Sequence, residues 1–282
     1  MKVIRIEEVP LLLDDQEEVL KTKISKILGI PETDIISYKI VKKAVDSRKK
    51  DILLVHSLDV VVKNIDAIKE WSTRYRTRIH EPYIYQEKTA NPNTKANIIV
   101  VGSGPCGLFA TLILARAGLK PLMIERGREV DKRIKDVDEF TKHRKLNTES
   151  NIQFGEGGAG TFSDGKLYTL INDPRSKYVF AELIKAGAPE EIAWSATPHI
   201  GTDKLREAVK RLREEIIKCG GTVRFETCLT DIEIENGKLK NIITNNKEKL
   251  PVDQLILATG HSARDTFKMY HDRQLKMSPK AF

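Results

Sequence analysis

The residues whose types and spacing most clearly indicate a chemical function form a glycine-rich hexapeptide, which we call the first glycine loop. It consists of Gly102, Ser103, Gly104, Pro105, Cys106 and Gly107. Its GxGxxG spacing lies between an apolar run of strand length and a predicted helix, the context in which this pattern binds a dinucleotide. The first glycine permits a tight turn, the second lets the backbone approach a pyrophosphate, and the third lets the helix pack close to the strand. The helix N-terminus would offer N–H groups and the positive end of its dipole to the phosphates.

A carboxylate follows where such a site needs one. Glu125 ends the second predicted strand, 18 residues after Gly107, and a carboxylate there can accept hydrogen bonds from a ribose diol. It would also repel a 2′-phosphate, so the sequence predicts that the site does not hold NADP. The alternative is a glycine-rich turn beside a surface glutamate. Cys106 has no second cysteine nearby, and we predict that it is a small residue that fills space.

A second glycine-rich segment, the second glycine loop, runs from Phe154 to Lys166 with the sequence FGEGGAGTFSDGK. It also spells GxGxxG, but the flanking residues make a poor strand and a poor helix start, so we do not predict a second dinucleotide fold. Loops this rich in glycine usually allow close backbone approach. We predict a loop that covers a cofactor, with Ser163, Asp164 and Lys166 as polar contacts. The alternative is a flexible surface loop.

Further polar residues follow the last predicted strand of the chain. Ala258, Thr259 and Gly260 close this strand at its carboxyl end, the edge at which ligands bind in open α/β sheets. His261, Arg264 and Asp265 come directly after them, and His199 precedes a predicted helix. Either histidine is a candidate acid–base group, although a lone histidine is more often structural.

Hydrophobic periodicity predicts the elements that position these residues. A β-α-β unit comprises strand 98–101, helix 108–117 and strand 121–124. A helix at 203–219, capped by Thr202 or Asp203, shows one apolar face. Strands at 222–225, 229–235 and 239–244 follow, and Asn236-Gly237 predicts a hairpin between the last two. With a final apolar strand at 252–258, we predict an α/β fold whose parallel sheet carries an antiparallel insert.

The sequence pattern predicts a separate small α+β module over residues 1–85. A linker at 86–96 would join it to the α/β domain at 97–282. The module would contain strands at 2–7, 35–45 and 52–62. A helix capped by Asp14 or Asp15 would end at Gly29, and a short helix would cover 64–71. No constellation of chemical groups stands out in this module.

Composition excludes several classes of protein. The 282 residues include 40% hydrophobic and 31% charged side chains, which indicates a folded chain of about two domains. The net charge of +8 is spread along the chain, so a nucleic-acid-binding tail is not predicted. The sequence lacks phosphate-loop, zinc-hydrolase and CxxC motifs. It shows neither a signal peptide nor a good membrane span, and we expect a cytoplasmic protein.

The residues also resemble a known family. VVGSGPCGLFATLILARAGLKPLMIERG resembles the FAD-binding opening of the glutathione-reductase-like flavoproteins, which have a Rossmann-like FAD/NAD(P)-binding fold. Four later phrases resemble a narrower group, the largely uncharacterised bacterial FAD-dependent dehydrogenases. They are ESNIQFGEGGAGTFSDGKL, GAPEEI, PHIGTDKL and ILATGHSARDTF. The resemblance extends over residues 97–282, about two-thirds of the chain.

This resemblance implies that FAD, not NAD, binds at the first glycine loop. Glu125 would hold the adenosine ribose, Arg126 would lie on the adenine side, and the backbone at Cys228 and Leu229 would contact the adenine. The Ala258–Gly260 segment would line the cofactor. The residues of the second glycine loop implied near the flavin or its ribityl chain are Gly158, Ala159, Gly160, Thr161, Ser163 and Asp164.

Members of the group usually continue into a substrate domain and a late Gly-Asp segment, which does not follow Gly260 here. The chain is therefore expected to be a truncated or split member. We predict a flavin-dependent oxidoreductase of unknown substrate, with NAD(P)H as a candidate electron donor. Two alternatives stay open. One is a flavoprotein that acts on RNA through the N-terminal module and the basic, aromatic segment Trp71–Tyr85, and the other is an inactive FAD-binding fragment.

Overall fold

The computed structural model describes residues 2–48, 50–68, 71–163, 165–167, 171 and 173–279. Contacts between Cα atoms divide the chain into two units. The first contains residues 1–85, 167–184 and 189–199, and the second contains residues 86–166, 185–188 and 200–282. Each unit therefore combines segments that are distant in sequence. The domain boundaries drawn from the sequence stay a prediction.

The first unit is built on an antiparallel sheet with the strand order β2-β3-β1-β4. Its strands are β1 (Val3–Leu12), β2 (Ile35–Asp46), β3 (Leu53–Val62) and β4 (Arg78–His80). Helix α1 (Val19–Leu28) buries Leu20, Ile24 and Leu28 and ends at Gly29, which has φ of +64°. These three side chains join one apolar core with β1 and β3. Burial of this face stabilises a helix of only ten residues.

Two local expectations for the first unit are wrong. Neither Asp14 nor Asp15 caps α1, since Glu18 occupies the N-cap position and makes no side-chain cap. The Asp15 carboxylate instead accepts a hydrogen bond from the Leu12 N–H at 2.9 Å. The helix expected at 64–71 is a single 3-10 turn, Ile65–Ala67, capped by the Asn64 side chain. Residues 69 and 70 lie outside the described part of the chain.

Later segments of the chain complete the first unit. Strand β2 pairs along its free edge with the segment around Ser195. The Lys43 N–H donates to the Trp194 carbonyl at 2.8 Å, and the Ala196 N–H donates to the Lys43 carbonyl at 3.0 Å. The Lys43 ammonium also lies 5.4 Å from the centre of the Trp194 ring. Helix α4 (Ser176–Lys185), which the sequence analysis did not assign, stacks Tyr178 against Tyr85.

The second unit contains a parallel sheet with the strand order β11-β5-β6-β7. Its strands are β5 (Ile98–Val101), β6 (Leu122–Ile124), β7 (Thr222–Arg224) and β11 (Gln254–Leu257). An antiparallel sheet of β8 (Leu229–Glu235), β9 (Lys238–Thr244) and β10 (Lys249–Pro251) is inserted between β7 and β11. The predicted α/β fold, with its parallel sheet and antiparallel insert, is confirmed.

Helices α2 (Pro105–Arg116), α3 (Val130–His143), α5 (Thr202–Lys218) and α6 (Arg264–Asp272) complete the second unit. Helix α2 begins at Pro105, earlier than predicted, because Gly104 is its N-cap and proline suits the first helical position. The expected cap of α5 by Thr202 or Asp203 is wrong. Gly201 takes the N-cap position, and the Thr202 hydroxyl donates to the Ser163 carbonyl at 2.8 Å.

An apolar core joins the two sheets of this unit. It places β5 and β6 side chains against the inserted sheet and against α6. Its buried members are Ile99, Val101, Ile124, Leu229, Ile232, Ile242, Val252 and Tyr270. The core thereby fixes α6 beside the carboxyl ends of the parallel strands. No helix in the described part of the chain is long and apolar enough to cross a membrane.

A fully buried histidine on β3 predicts how the stability of the first unit depends on pH. The His56 side chain has no solvent exposure. Burial, assisted by the nearby Lys43 charge, lowers the pKa of His56 below its ordinary value of 6.5. The unfolded chain therefore takes up this proton at a higher pH than the folded chain does. Stability should be full above about pH 6.5 and should fall as the pH drops below that value.

Urea unfolding of the first unit, measured between about pH 7.5 and pH 5, tests this expectation. The unfolding free energy should fall by up to about 1.4 kcal/mol per pH unit in the wild type, and His56→Leu should remove that contribution. His143→Leu is the matched control, because it removes an exposed imidazole from the second unit. Equal pH profiles for the wild type and His56→Leu would contradict the prediction.

Candidate functional site

The first glycine loop turns sharply beside the end of β11. Gly102 has φ of +100°, and a Cβ atom there would lie 2.4 Å from the Ala258 carbonyl oxygen. A Cβ atom at Gly107 would lie 1.8 Å from the Gly102 carbonyl oxygen. Both contacts are far shorter than atoms tolerate. The loop therefore requires glycine at these two positions, for the two packing reasons that the sequence pattern predicts.

The N-terminus of α2 opens from this loop. Gly104 is the N-cap and makes no side-chain cap, so no side chain covers the first N–H groups of the helix. Cys106 is exposed in the first turn and lines the cavity described below. Cys106 was predicted to be a small residue that fills space in the turn; the structure places it on the exposed side of the helix end.

The Glu125 carboxylate ties three backbone segments together. One oxygen, Oε2, accepts hydrogen bonds from the N–H and the hydroxyl of Ser103, each at 2.8 Å. The other, Oε1, accepts from the Gly127 N–H at 2.9 Å and from the Gly155 N–H at 3.0 Å. Glu125 is buried. Four donors match the lone-pair sites of one carboxylate, so a ribose hydroxyl would have to share these oxygens with the protein.

The second glycine loop packs directly on the first. The Gly157 N–H donates to the Ser103 carbonyl at 2.9 Å. Gly158 has φ of +68°, and a Cβ atom there would lie 3.1 Å from the Gly104 Cα atom. The two loops thus meet backbone to backbone, at the point where α2 begins. Residues that the sequence places more than 40 positions apart form one glycine-lined cradle.

A buried cation holds the second glycine loop in shape. Arg133 on α3 has no solvent exposure and donates to the carbonyl oxygens of Asn151 at 2.8 Å, Ile152 at 3.0 Å and Glu156 at 2.6 Å. Burial lowers the pKa of Arg133 to about 10, which leaves it charged at neutral pH. Sequence analysis missed this residue, because an arginine on a highly charged helix is expected to face solvent.

A buried carboxylate completes this support. The Glu156 side chain accepts a hydrogen bond from the Val130 N–H, at the start of α3, at 2.7 Å. Its other oxygen lies 3.2 Å from Nε of Arg213 on α5. Burial raises the pKa of Glu156. The second glycine loop is thus anchored to α3 and α5 as well as to Glu125, and the alternative of a flexible surface loop loses support.

The cradle forms one wall of a cavity of about 560 Å³. This volume lies within the range of small-molecule and cofactor sites. Most of the predicted cofactor-binding residues line the cavity, and they come from five separate segments of the chain. They are Gly102, Gly104, Pro105, Cys106, Glu125, Arg126, Gly158, Ala159, Cys228, Leu229, Ala258, Thr259 and Gly260.

The other predicted cofactor-binding residues do not line this cavity. Ser103 and Gly107 are buried in the first glycine loop, and Thr161 is buried in the second, with its hydroxyl 3.3 Å from the Glu156 carbonyl. Gly160 and Ser163 lie beyond the cavity wall, and the Ser163 hydroxyl donates to the Gly160 carbonyl at 2.9 Å. Asp164 lies outside the described residues. Their contacts with a cofactor stay predictions.

The end of the cavity next to β7 and α6 is formed by residues that the sequence analysis largely missed. Phe154, Thr227, Thr266, Phe267 and Tyr270 line it together with Arg126 and Cys228. Three of them belong to α6, which was not predicted as a helix. The available signal was the spacing of Thr266, Phe267 and Tyr270, which lie on one face of a helix directly after the Ala258–Gly260 segment.

Arg126 is held tightly at this end of the cavity. Its guanidinium donates to the Cys228 sulfur at 3.0 Å, binds the Asp265 carboxylate and stacks on the Phe154 ring with a separation of 4.6 Å. Glu149 lies 3.5 Å from its Nε atom. Burial raises the pKa of the Cys228 thiol. Two carboxylates therefore surround the single positive charge of Arg126 and outnumber it.

The histidines differ in position. His261 lines the cavity directly after Gly260 and is exposed. His199 is exposed and belongs to the first unit. Of the two candidate acid–base groups, the structure therefore places only His261 at the cavity.

Comparisons with known proteins place this geometry in a family. Residues 96–270 match the model of the pyridine nucleotide-disulphide oxidoreductases. The chain belongs to this family. Residues 3–61 match a domain of unknown function, DUF8436. The family confirms the predicted Rossmann-like fold and FAD as the predicted cofactor.

The chain is also similar to individual known proteins. An uncharacterized protein of Clostridium beijerinckii is 45% identical over 288 residues, which cover 99% of this chain and 52% of that protein. A thiamine thiazole synthase of Methanococcus aeolicus is 26% identical over 61% of this chain and 57% of its own length. The chain spans little more than half of either relative. The structure of THI4 from Thermovibrio ammonificans, 18% identical, covers 64% of each chain with a TM-score of 0.43.

The hydrogen bonds of Glu125 predict the result of its replacement. Glu125→Gln keeps the size of the side chain but removes its charge. It also replaces one carboxylate oxygen by an NH₂ group, which cannot accept the hydrogen bonds that this oxygen now receives. Because these donors are buried, we expect the unfolding free energy of the second unit to fall by about 2–4 kcal/mol. Denaturant unfolding of the purified protein measures this change.

Glu149→Gln is the matched control, because Glu149 is a more exposed carboxylate that pairs with Arg126, the residue next to Glu125. Its replacement should change the unfolding free energy by less than about 1 kcal/mol. If Glu125→Gln were as stable as Glu149→Gln, the tie between the two glycine loops would not stabilise the fold.

Proposed function

We propose that this chain binds FAD in the cavity at the start of α2 and acts as a flavin-dependent dehydrogenase. The observation that carries the proposal is the glycine cradle. Gly104 and Gly158 face each other without side chains, and the uncapped N-terminus of α2 opens beside them. A diphosphate needs both features, since it approaches the backbone closely and takes hydrogen bonds from N–H groups at a helix end.

The residues around the cradle suit the rest of the cofactor. We propose that the N–H groups of the first glycine loop bind the pyrophosphate and that Glu125 shares an oxygen with a ribose hydroxyl while it keeps the two loops together. Cys228, Leu229 and Ala258–Gly260 also line the cavity. When bound, FAD supplies a ring system that accepts and passes on a hydride, and the protein contributes binding and orientation.

The flavin end is assigned to the second glycine loop. We propose that Gly160, Thr161, Ser163 and Asp164 lie near the flavin or its ribityl chain, as the resemblance implies. Sequence order supports this assignment, because these residues directly follow Gly158 and Ala159, which line the cavity. The family also points to a pyridine nucleotide as electron donor, and we propose NADH or NADPH in that role.

The alternative of an RNA-directed flavoprotein gains no support from the first unit. In the segment Trp71–Tyr85, Arg76 lies 3.3 Å from Glu8, and Arg78 lies 2.6 Å from Glu7. The Arg74 guanidinium lies 5.3 Å from the Tyr75 ring centre. Because acidic neighbours compensate two of these charges, the segment offers phosphates less positive potential than its sequence suggests.

Retention of FAD tests the proposed function. The purified chain, incubated with FAD and then desalted, should show flavin absorbance. Gly158→Ala should bind FAD at least about tenfold more weakly, because the added methyl group narrows the cradle from the second glycine loop. Titration of each protein with FAD, followed by absorbance or by quenching of flavin fluorescence, measures the difference.

Gly237→Ala is the matched control. Gly237 has φ of +73°, close to that of Gly158, but a Cβ atom there would meet nothing within 4 Å. The control therefore places an alanine at a positive φ in the hairpin, away from the cradle, and should bind FAD as the wild type does. Wild-type protein that stays colourless with FAD, or equal affinities for the two alanine variants, would contradict the proposed site.

A further inference from the structure

Part of the cavity wall is a helix whose two ends are held in different ways. Helix α6 and the turn before it, residues 261–272, contribute several of the side chains that line the cavity. Phe267 and Tyr270 also pack in the apolar core that joins the two sheets. Just beyond them, the Arg273 guanidinium donates to the Asp231 carboxylate on β8 at 2.7 Å. The C-terminal half of α6 is therefore fixed to the fold by apolar packing and by an ion pair.

The N-terminal end of α6 has weaker attachments. Ala263 takes the N-cap position and makes no side-chain cap, and a helix without such a cap frays more readily at its first turn. Gly260 precedes this turn with φ of +71°, and a Cβ atom there would meet no described atom within 4 Å. An unpacked glycine can absorb a change of backbone angles, as a hinge does. The part of the wall that opens most easily is therefore residues 261–266, which we call the first-turn segment.

A surface ion pair joins the first-turn segment to the rest of the wall. The buried side chains of the segment, Ala263 and Thr266, line the cavity. Arg126, just after β6, binds the Asp265 carboxylate. The Arg126 side chain is 11% exposed and the Asp265 side chain is 62% exposed, so solvent reaches the pair from the α6 side. Exposed pairs contribute little to stability and are screened by salt, which suits a contact that breaks and forms repeatedly.

Arg126 stays in place when this pair breaks. Its guanidinium also donates to the Cys228 sulfur at 3.0 Å, stacks on the Phe154 ring and lies 3.5 Å from Glu149. These contacts hold the arginine on the wall that β6 and β7 support. Loss of the pair with Asp265 therefore releases the start of α6 and leaves the wall around Arg126 as it is.

We propose that the first-turn segment is a gate of the cavity, that Gly260 is its hinge, and that the ion pair between Arg126 and Asp265 is the latch that keeps it closed. The inference rests on the proposed function for the identity of the ligand, since FAD is the molecule that passes the gate. Helix α6 has the asymmetry that a gate needs, because one end lies in the core and the other end is held by an exposed pair of charges.

Hydrogen–deuterium exchange of the ligand-free chain tests the latch. Asp265→Asn should raise the exchange rate of the amides at 264–267 about two- to fivefold, which is the factor expected from the loss of an exposed ion pair. One of these amides, the Phe267 N–H, donates to the Ala263 carbonyl at 3.0 Å. Exchange at 269–275 should stay as in the wild type, because the core holds that half of the helix.

Asp272→Asn is the matched control. The Asp272 carboxylate is exposed and pairs with the Lys268 ammonium at 2.6 Å, at the other end of the same helix. The control therefore removes the same charge from the same element without touching the latch. Its exchange at 264–267 should equal that of the wild type.

A double-mutant cycle separates the ion pair from the helix dipole. Asp265 lies in the first turn of α6, where a carboxylate also interacts favourably with the dipole. If the pair is the latch, Asp265→Asn should add little to the exchange rate at 264–267 in a chain that already carries Arg126→Met. An equal effect of Asp265→Asn with and without Arg126 would show that the dipole acts alone, and would overturn the latch.

The rates of FAD binding test the gate itself. Asp265→Asn should speed both association and dissociation of FAD about two- to fivefold and leave the dissociation constant nearly unchanged, because an unlatched gate opens more often for entry and for exit. A change of charge alone would act differently, since it would speed association of the anionic FAD and slow its dissociation. Stopped-flow measurement of flavin fluorescence gives both rates.

The outcomes separate this inference from the proposed function. Wild-type chain that binds no FAD would overturn the proposed function and the passage of FAD, while the exchange rates would still decide whether the ion pair holds the first-turn segment. Equal exchange at 264–267 in the wild type and Asp265→Asn would overturn the latch, even if FAD binds. Faster exchange in Asp265→Asn without faster binding and release of FAD would overturn the gate.

Discussion

The site depends on one buried carboxylate. Glu125 accepts hydrogen bonds from Ser103, Gly127 and Gly155, and so joins the first glycine loop, the end of β6 and the second glycine loop. Three of the four donors are backbone N–H groups, and the fourth is the Ser103 hydroxyl; each needs a partner once it is buried. A carboxylate supplies acceptors for all of them with one short side chain. This junction adds to the direct hydrogen bond from the Gly157 N–H to the Ser103 carbonyl, which also holds the second loop on the first.

Buried charge supports this junction from behind. Arg133 binds carbonyl oxygens of the second glycine loop, and Glu156 within that loop binds the start of α3 and Arg213 on α5. Such groups are costly to bury unless their hydrogen bonds are nearly complete. Here their geometry keeps a glycine-rich segment in a single shape. The resulting cradle is rigid at its back and free of side chains at its front, which suits a diphosphate that must approach the backbone.

The sequence could predict the part of the site that follows from local rules. The strand, glycine turn and helix around Gly102–Gly107 are contiguous, and the sheet edge at Ala258–Gly260 follows from strand polarity. Cooperation between distant segments could not be predicted. The pairing of Gly104 with Gly158, the burial of Arg133 and the position of Tyr270 depend on tertiary packing. The caps expected for α1 and α5 also failed, because Glu18 and Gly201 occupy those positions.

A crystal structure of the full chain with FAD would test the account most directly. The account predicts the pyrophosphate between Gly104 and Gly158 at the start of α2, with Glu125 still bonded to Ser103 and Gly155. FAD bound elsewhere would contradict the account. So would a complex in which the two glycine loops separate and Glu125 releases both of them to hold the ligand, because the carboxylate would then bind the cofactor instead of building its cradle.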